Sequence, residues 1–312
     1  MYQLKGADKL KIIFLGTPEF ARCVLESLNS KYEIKLVISQ PNREKKKGQY
    51  IDTPVALYAK ENNLKLLQPE SIKDIYDVIK DTDADTLITA AYGQYIPTKI
   101  LNLFKTKLNV HASLLPLHRG GAPIQRCLIN GDTKTGVTIM DMEKKLDAGR
   151  IYAMEEYEID KDDDASILFD KLAQIGSKLL LDNIEDIYNG INLGVPQDDS
   201  LATISPNLTK EEEKIDFNKT SHEIVNQIRG LSKNPGAYIL VNNNIVKVYK
   251  AIEVEYSGNE KPGTVLNVKK GITIKTKDSA ISLLLLKQEG KKELSGKDFS
   301  NGQKLFVIND II

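Results

Sequence analysis

The chain of 312 residues is 41% hydrophobic and 28% charged, which supplies apolar material for a sizeable core, favours two domains over one, and excludes intrinsic disorder. Lysine plus arginine (43) equal aspartate plus glutamate (43), so no global field draws the protein onto polyanions at large or onto an anionic membrane. Its two cysteines, Cys23 and Cys127, exclude a disulfide scaffold and a cysteine-rich zinc site; they suit a reducing compartment and read as small buried hydrophobes.

The first ten residues, MYQLKGADKL, carry no apolar secretory core, and the densest apolar run, Ile281–Leu286, is far short of the ~20 residues a membrane span needs. The expectation is a cytoplasmic protein of bacterial type with no membrane partner. An organelle stays open, because an import signal removed upstream would leave no trace.

Short β-branched runs then alternate with helical patterns, the signature of a parallel sheet wound by crossover helices. Strands are expected at Lys11–Leu15, Ile34–Ser39, Thr86–Ala91 and Lys107–His111, and helices at Pro18–Leu28, Thr53–Asn62, near Ile72–Lys80, near Thr98–Phe104 and at Ala122–Asn130. In the second helix Thr53 is placed to cap and Pro54 to occupy the first helical position, where a missing N–H costs nothing. A strand pair, Thr135–Met140 and Arg150–Ile159, and a long helix from about Ala165 to Tyr188 close a Rossmann-like α/β domain with an antiparallel finish.

Gly190 to Pro206 is rich in Gly, Pro, Asp and Ser and reads as a linker. The division is therefore 1–190, a catalytic domain; 191–207, the linker; and 208–312, a smaller second domain. A helix at Ser221–Leu231, capped by Thr220 or Ser221, precedes strands near Ala237–Val241, Ile245–Ile252, Gly263–Val268, Gly271–Thr276, Ala280–Lys287 and Lys304–Phe306. Short strands at this spacing suggest an OB-like β-barrel, with a small sandwich as the alternative. Neutrality also hides an asymmetry: residues 1–207 hold 26 basic and 30 acidic side chains, residues 208–312 hold 17 and 13.

The turn Gly16-Thr17-Pro18-Glu19-Phe20 keeps one glycine but lacks Gly-x-Gly-x-x-Gly, which disfavours dinucleotide binding. The richest segment is Leu108-Asn109-Val110-His111-Ala112-Ser113-Leu114-Leu115-Pro116, followed by Leu117-His118-Arg119-Gly120-Gly121-Ala122-Pro123. Residues two apart on a strand share a face, so Asn109 and His111 project together at a carboxyl end, where open α/β sheets hold their ligands. An amide and an imidazolium both donate to an oxygen that becomes negative during acyl transfer. Leu114–Pro116 would form a dry wall beside them. Asp147, in the loop Lys145–Gly149, could reach the pair, either to hold the imidazole tautomer or to order the water that removes an amine proton. His118 and His222 read as structural residues, and no His, Cys and carboxylate grouping has metal spacing, so no metal is expected. Gln40–Gln49 is a polar loop with Arg43, Lys45, Lys46 and Lys47 against Glu44, which reads either as a solvated charge run or as a basic finger for phosphates.

The segments KIIFLGTPEFA (Lys11–Ala21), Gln40–Arg43 with Thr53–Val55, Ala91-Tyr92-Gly93, NVHASLLPLHRGGAPIQ (Asn109–Gln125), TGVTIM (Thr135–Met140), Leu146–Gly149 and LTKEEEKID (Leu208–Asp216) resemble the methionyl-tRNA formyltransferases, in order and over nearly the whole chain. The resemblance implies formyl transfer from 10-formyltetrahydrofolate to the methionine of initiator tRNA, by a monomer. It implies Asn109, His111 and Asp147 as the catalytic triplet. Ser113, Leu114, Leu115 and Pro116, with backbone around Ala90, Ala91, Tyr92 and Gly93, would form the folate site. Arg43, Lys45, Lys46 and Lys47 would be a loop wedged against the acceptor stem, and the C-terminal barrel would support the tRNA. The loop departs from the family in carrying Glu44 and a lysine run in place of Pro, Gly and Arg, which keeps phosphate attraction but offers fewer bidentate contacts. A sugar-nucleotide N-formyltransferase would share the triplet but have no use for the lysines. A glycinamide ribonucleotide formyltransferase would leave residues 208–312 unexplained. A non-catalytic tRNA- or folate-binding module would not need the triplet.

Overall fold

A computed structural model of the chain describes residues 10–46, 49–269, 271–302 and 304–312. Nine of the ten residues read above for a leader lie outside the described residues, as does Lys47 of the basic loop. By internal contacts the chain divides into two compact units, one of Met1–Pro123, Thr135–Tyr157 and Phe169–Pro206, the other of Ile124–Lys134, Glu158–Leu168 and Asn207–Ile312. Among the described residues no helix is long and apolar enough to cross a membrane.

The elements run in chain order β1 (Lys11–Gly16), α1 (Glu19–Asn29), β2 (Glu33–Ile38), β3 (Arg43–Lys46), β4 (Gln49–Ile51), α2 (Pro54–Glu61), β5 (Leu66–Leu67), α3 (Tyr76–Asp81), β6 (Thr86–Ala90), α4 (Thr98–Leu101), β7 (Thr106–His111), α5 (Pro123–Asn130), β8 (Lys134–Asp141), β9 (Ile151–Glu158) and α6 (Ala165–Tyr188). Seven of the described strands form one sheet in the order β5-β2-β1-β6-β7-β8-β9. The pairs β2/β5, β1/β2, β1/β6 and β6/β7 are parallel, and β7/β8 is antiparallel. The expected α/β winding with an antiparallel finish is therefore present. β1 and β6 are buried almost throughout, as strands covered on both faces must be, which is why they read as unbroken apolar runs.

Chain order reverses between β1 and β6, so the crevice of this sheet opens at the carboxyl ends of β1, β6 and β7. Gly16 makes the close turn there: a Cβ would stand 2.5 Å from that of Ala21 and 3.0 Å from the carbonyl oxygen of Ala90. α2 begins as expected, with Thr53 Oγ1 accepting from Ala56 N–H at 3.2 Å and Pro54 at its first position.

Three local expectations change. The polar loop after β2 is a two-stranded antiparallel ribbon, Arg43 opposite Ile51 and Glu44 opposite Tyr50, closed at its base by Asn42 donating to Asp52 at 2.5 Å. The unbroken polar run Arg43–Lys46 hid these strands, because the ribbon residues whose exposure is described, Arg43, Glu44, Tyr50 and Ile51, all face solvent and give no apolar alternation. The helix expected near Ile72–Lys80 begins as a 3-10 turn, Ile72–Ile75, before α3. Cys127 is buried, whereas Cys23 is only half-buried.

The second unit contains α7 (Ser221–Leu231), β10 (Ala237–Val241), β11 (Asn244–Val254), β12 (Val265–Asn267), β13 (Ile272–Lys275), β14 (Ala280–Gln288), β15 (Leu294–Ser295) and α8 (Gly296–Gly302). Its described strands form one antiparallel sheet, β10-β11-β14-β13-β12, with β15 also on β14. α7 starts on a reciprocal cap: Thr220 Oγ1 accepts from Glu223 N–H, and the Glu223 carboxylate accepts from Thr220 N–H at 2.8 Å. Ile224, Ile228 and Leu231 on its buried side share a core with Ile239, Val248, Leu283 and Phe299. The strand expected at Lys304–Phe306 does not form. Phe306 enters the core from irregular backbone, its ring edge-on to Phe299 with centroids 5.9 Å apart, so the apolar pair Leu305-Phe306 marks burial and not a strand.

Candidate active site

At the carboxyl end of β7 the pleat sends Asn109 and His111 to the same side, as their spacing dictates. His111 is buried and Asn109 half-buried. Thr89 on β6, itself buried, donates from Oγ1 to Asn109 Oδ1 at 2.8 Å, which leaves the amide NH2 as the end turned away from the strand.

His111 Nε2 lies 3.0 Å from the backbone carbonyl oxygen of His118. A carbonyl only accepts, so Nε2 carries a proton and Nδ1 is the basic nitrogen of the neutral ring. Asp147 Oδ2 stands 3.8 Å from Nδ1, too far for a direct hydrogen bond. Of the two roles open to Asp147 from sequence, holding the tautomer thus belongs to the His118 carbonyl. A carboxylate near Nδ1 but out of direct bonding reach is compatible with the other, ordering a small molecule that contacts both from the side. The same oxygen, Asp147 Oδ2, is fixed by Gly120 N–H, which donates to it at 2.8 Å, and the Asp147 backbone is left-handed at φ 48°.

The turn after β7 is braced from β8. Thr138 Oγ1 donates to Ser113 O at 2.7 Å and accepts from Leu115 N–H at 3.2 Å, while Ser113 Oγ donates to Leu117 O at 2.7 Å. Ser113 and Leu115 are buried, Leu114 and Pro116 half-buried. At the end of β6, Ala90 and Tyr92 are buried while Ala91 (φ 42°) and Gly93 (φ 87°) turn exposed, left-handed backbone outward. Thr17 Oγ1 and Gln40 Nε2 both donate to the Tyr92 carbonyl, at 2.9 and 3.2 Å. The Tyr92 hydroxyl is buried without a hydrogen-bond partner among the described residues, and burial pushes its pKa up to about 12.

Of the basic-loop residues, Arg43 is exposed on β3; Lys45 and Lys46 belong to the same strand; Lys47 lies outside the described residues. The ribbon starts three residues beyond Gln40, whose side chain reaches the Tyr92 carbonyl.

Several residues that build this site were not singled out from sequence. Arg119, only 3% exposed, pairs with Asp199 at 2.7 Å and with Gln197. Lys145 also reaches Asp199, and Lys145 first and Arg119 second hold the Asp199 carboxyl below the usual range. Residues 203–205 run beside the loop 116–122: Arg119 N–H donates to Thr203 O, Ser205 N–H to Arg119 O, and His118 N–H to Thr203 Oγ1. Their sequence signal was weak: the polar run Gln197-Asp198-Asp199-Ser200 lies in a stretch whose Gly, Pro, Asp and Ser content reads as a linker.

Residues 10–184 match the formyl transferase family, and residues 207–304 match the formyl transferase C-terminal domain. The chain is 42% identical over 309 residues to the methionyl-tRNA formyltransferase of Mesoplasma florum, covering 97% of each, and 42% identical over 298 residues to that of Lactobacillus acidophilus, covering 94% of this chain and 95% of the relative. Among solved structures, it superposes with a TM-score of 0.68 at 22% identity on WlaRD, a sugar 3N-formyl transferase, over 92% of this chain and 100% of that one. It also superposes at 0.65 and 17% identity on HypX from Aquifex aeolicus in complex with tetrahydrofolic acid, over 98% of this chain and 49% of that one. These two likenesses speak to the fold.

Proposed function

The chain belongs to the methionyl-tRNA formyltransferases, and from that premise we propose how its residues divide the work. The enzyme transfers a formyl group to the amino group of methionine esterified to initiator tRNA. The formyl donor in our reading is 10-formyltetrahydrofolate. The turned backbone at Ala91 and Gly93 suits a planar polar ring, since a Cβ at Gly93 would meet nothing nearer than Gln40 Nε2 at 3.7 Å, and Ser113–Pro116 supply the drier wall opposite.

The observation that carries the mechanism is the bond from His111 Nε2 to the His118 carbonyl. It leaves Nδ1 facing the substrate, beside Asp147. As the amine nitrogen bonds to the formyl carbon, the carbonyl oxygen gains negative charge. The Asn109 NH2, pinned by Thr89, stabilises that oxygen. The proton lost by the amine passes, through a water that contacts Asp147, to Nδ1 of neutral His111, and the resulting Nδ1–H donates to the same oxygen until it is given up as the folate nitrogen leaves. The bond from the formyl carbon to the folate nitrogen then breaks, and a proton is returned to that nitrogen.

In this reading residues 1–190 carry catalysis, 191–207 connect, and 208–312 form an OB-like module that contributes to tRNA binding, supported by its basic excess and its antiparallel strand order. Arg43, Lys45, Lys46 and Lys47 engage phosphates of the acceptor arm, and a monomer in the cytoplasm suffices. The test offers purified protein 10-formyltetrahydrofolate with either charged initiator tRNA or amino-sugar nucleotides. Formylation of the tRNA alone is expected. Preference for the sugar nucleotides would replace this reading with the sugar-nucleotide one, and no transfer to either would leave a binding module.

A further inference from the structure

We propose that Gln197 is a positioning residue for formyl transfer, tying the Asp147 loop to the Arg119 loop so that residues 195–205 form part of the wall of the active site. The proposal rests on the assignment of Asp147 to the reaction. Gln197 uses its side-chain amide at both ends. Nε2 donates to the backbone oxygens of Asp147 and Gly149, at 2.9 and 2.7 Å, and Oε1 accepts from Arg119 Nε and Nη2, at 3.1 and 2.7 Å. An amide alone among side chains of this length offers two donors at one atom and an acceptor at the other. Glutamate would set an acceptor against two carbonyl oxygens.

The two loops need such a tie. Asp147 is a non-glycine residue at φ 48°, a conformation that persists only where its surroundings impose it. The Arg119 loop supplies the groups that hold both catalytic side chains, the His118 carbonyl on His111 and Gly120 N–H on Asp147 Oδ2. That loop is itself registered by the same segment. Arg119 N–H donates to Thr203 O at 2.9 Å, Ser205 N–H to Arg119 O at 2.7 Å, and His118 Nδ1 lies 2.8 Å from Ser205 Oγ. Gln197 and its neighbours thus set the separation between His111 Nδ1 and Asp147 without touching either side chain.

The experiment measures kcat and both KM values for Gln197→Ala and Gln197→Glu, each in the wild-type and Asp147→Asn backgrounds, with thermal unfolding alongside. A displaced reacting group lowers kcat by about 10- to 100-fold while KM for folate and for Met-tRNA stays within about threefold. Because the loss passes through the Asp147 carboxylate, adding either Gln197 variant to Asp147→Asn lowers kcat by no more than about threefold further. Gln197→Glu keeps the size of the side chain and an acceptor for Arg119, so it carries the test if Gln197→Ala does not fold. A kcat within threefold of wild type, or losses that multiply in full with Asp147→Asn, overturns the proposal. Normal turnover by Asp147→Asn itself overturns the reading of the site beneath it, a result separable from the first.

Discussion

Replacing Gly149 by alanine asks whether the placement of Asp147, and not merely its presence, carries the rate. A Cβ at position 149 would overlap the carbonyl oxygen of Asp141 and stand 2.7 Å from its carbonyl carbon. Non-bonded carbons settle at about 3.5–4.0 Å, so the two backbones would have to part by about 1 Å. That opening falls where Asp141 N–H donates to Arg150 O at 2.9 Å and where the Gly149 carbonyl accepts from Gln197. Asp147 lies two residues away, on a loop with little slack. A displacement of about 1 Å at a reacting group lowers the rate by ~100-fold. Overpacking of this kind costs about 1–3 kcal/mol of stability, which leaves the protein folded at 25 °C. Gly296 provides a matched control in the second unit. Its Cβ would overlap the Leu283 carbonyl oxygen, with the carbonyl carbon at 3.1 Å. Gly296→Ala should therefore lower the Tm to a similar degree and leave kcat unchanged. The assay is initial-rate formylation of Met-tRNA at saturating folate, with thermal unfolding of the same preparations. A Gly149→Ala enzyme within threefold of wild-type kcat, or a Gly296→Ala enzyme equally slowed, would refute the reasoning.

His111→Ala or Asp147→Asn is expected to cut turnover by ~100-fold or more, through lost proton transfer and lost orientation. Asn109→Ala removes a donor to the developing oxyanion and should cost about 10²- to 10³-fold in kcat, read against an unchanged melting temperature. Replacing Lys45, Lys46 and Lys47 together by serine should weaken tRNA binding and reduce its salt dependence by up to about three phosphate contacts, with folate binding intact; an unchanged salt slope would return the loop to a solvated charge run. Burial raises the Tyr92 hydroxyl from its ordinary value near 10 to about 12. Folding with this group is thus fully favourable below about pH 10 and loses stability as the pH rises toward 12, because the unfolded chain gives up the proton first. Tyr92→Phe should keep its stability at pH 7 and lose less between pH 8 and pH 11 in urea titrations. Equal losses in both proteins would show that another group governs the alkaline limb; Tyr32, raised to about 12 by burial and then by Glu185, contributes a remainder to each.

Much of the proposed catalytic arrangement was legible residue by residue because it depends on local geometry. Thr53-Pro54 opened α2 because a hydroxyl and a missing N–H act within one turn. Asn109 and His111 fell together because side chains two apart on a strand share a face, and the reversal of strand order put that face at the crevice. The ribbon β3/β4 was not legible, since the period-2 signal reports a buried side, and Arg43, Glu44, Tyr50 and Ile51 on it are all exposed. Phe306 was misread for the opposite reason: a buried aromatic reached the core from irregular chain.

The sequence by itself determined the winding of the first unit, the antiparallel character of the second, the family, and the side chains proposed for the chemistry. Tertiary structure alone decided how those side chains are held. His111 takes its tautomer from a backbone carbonyl, a group every residue carries and no residue type announces. Arg119 and Gln197 meet across 78 residues, a pairing that local periodicity cannot encode because each segment satisfies its own pattern without reference to the other. Residue types are written along the chain, whereas the distance between His111 and Asp147 arises only when separate segments share hydrogen bonds.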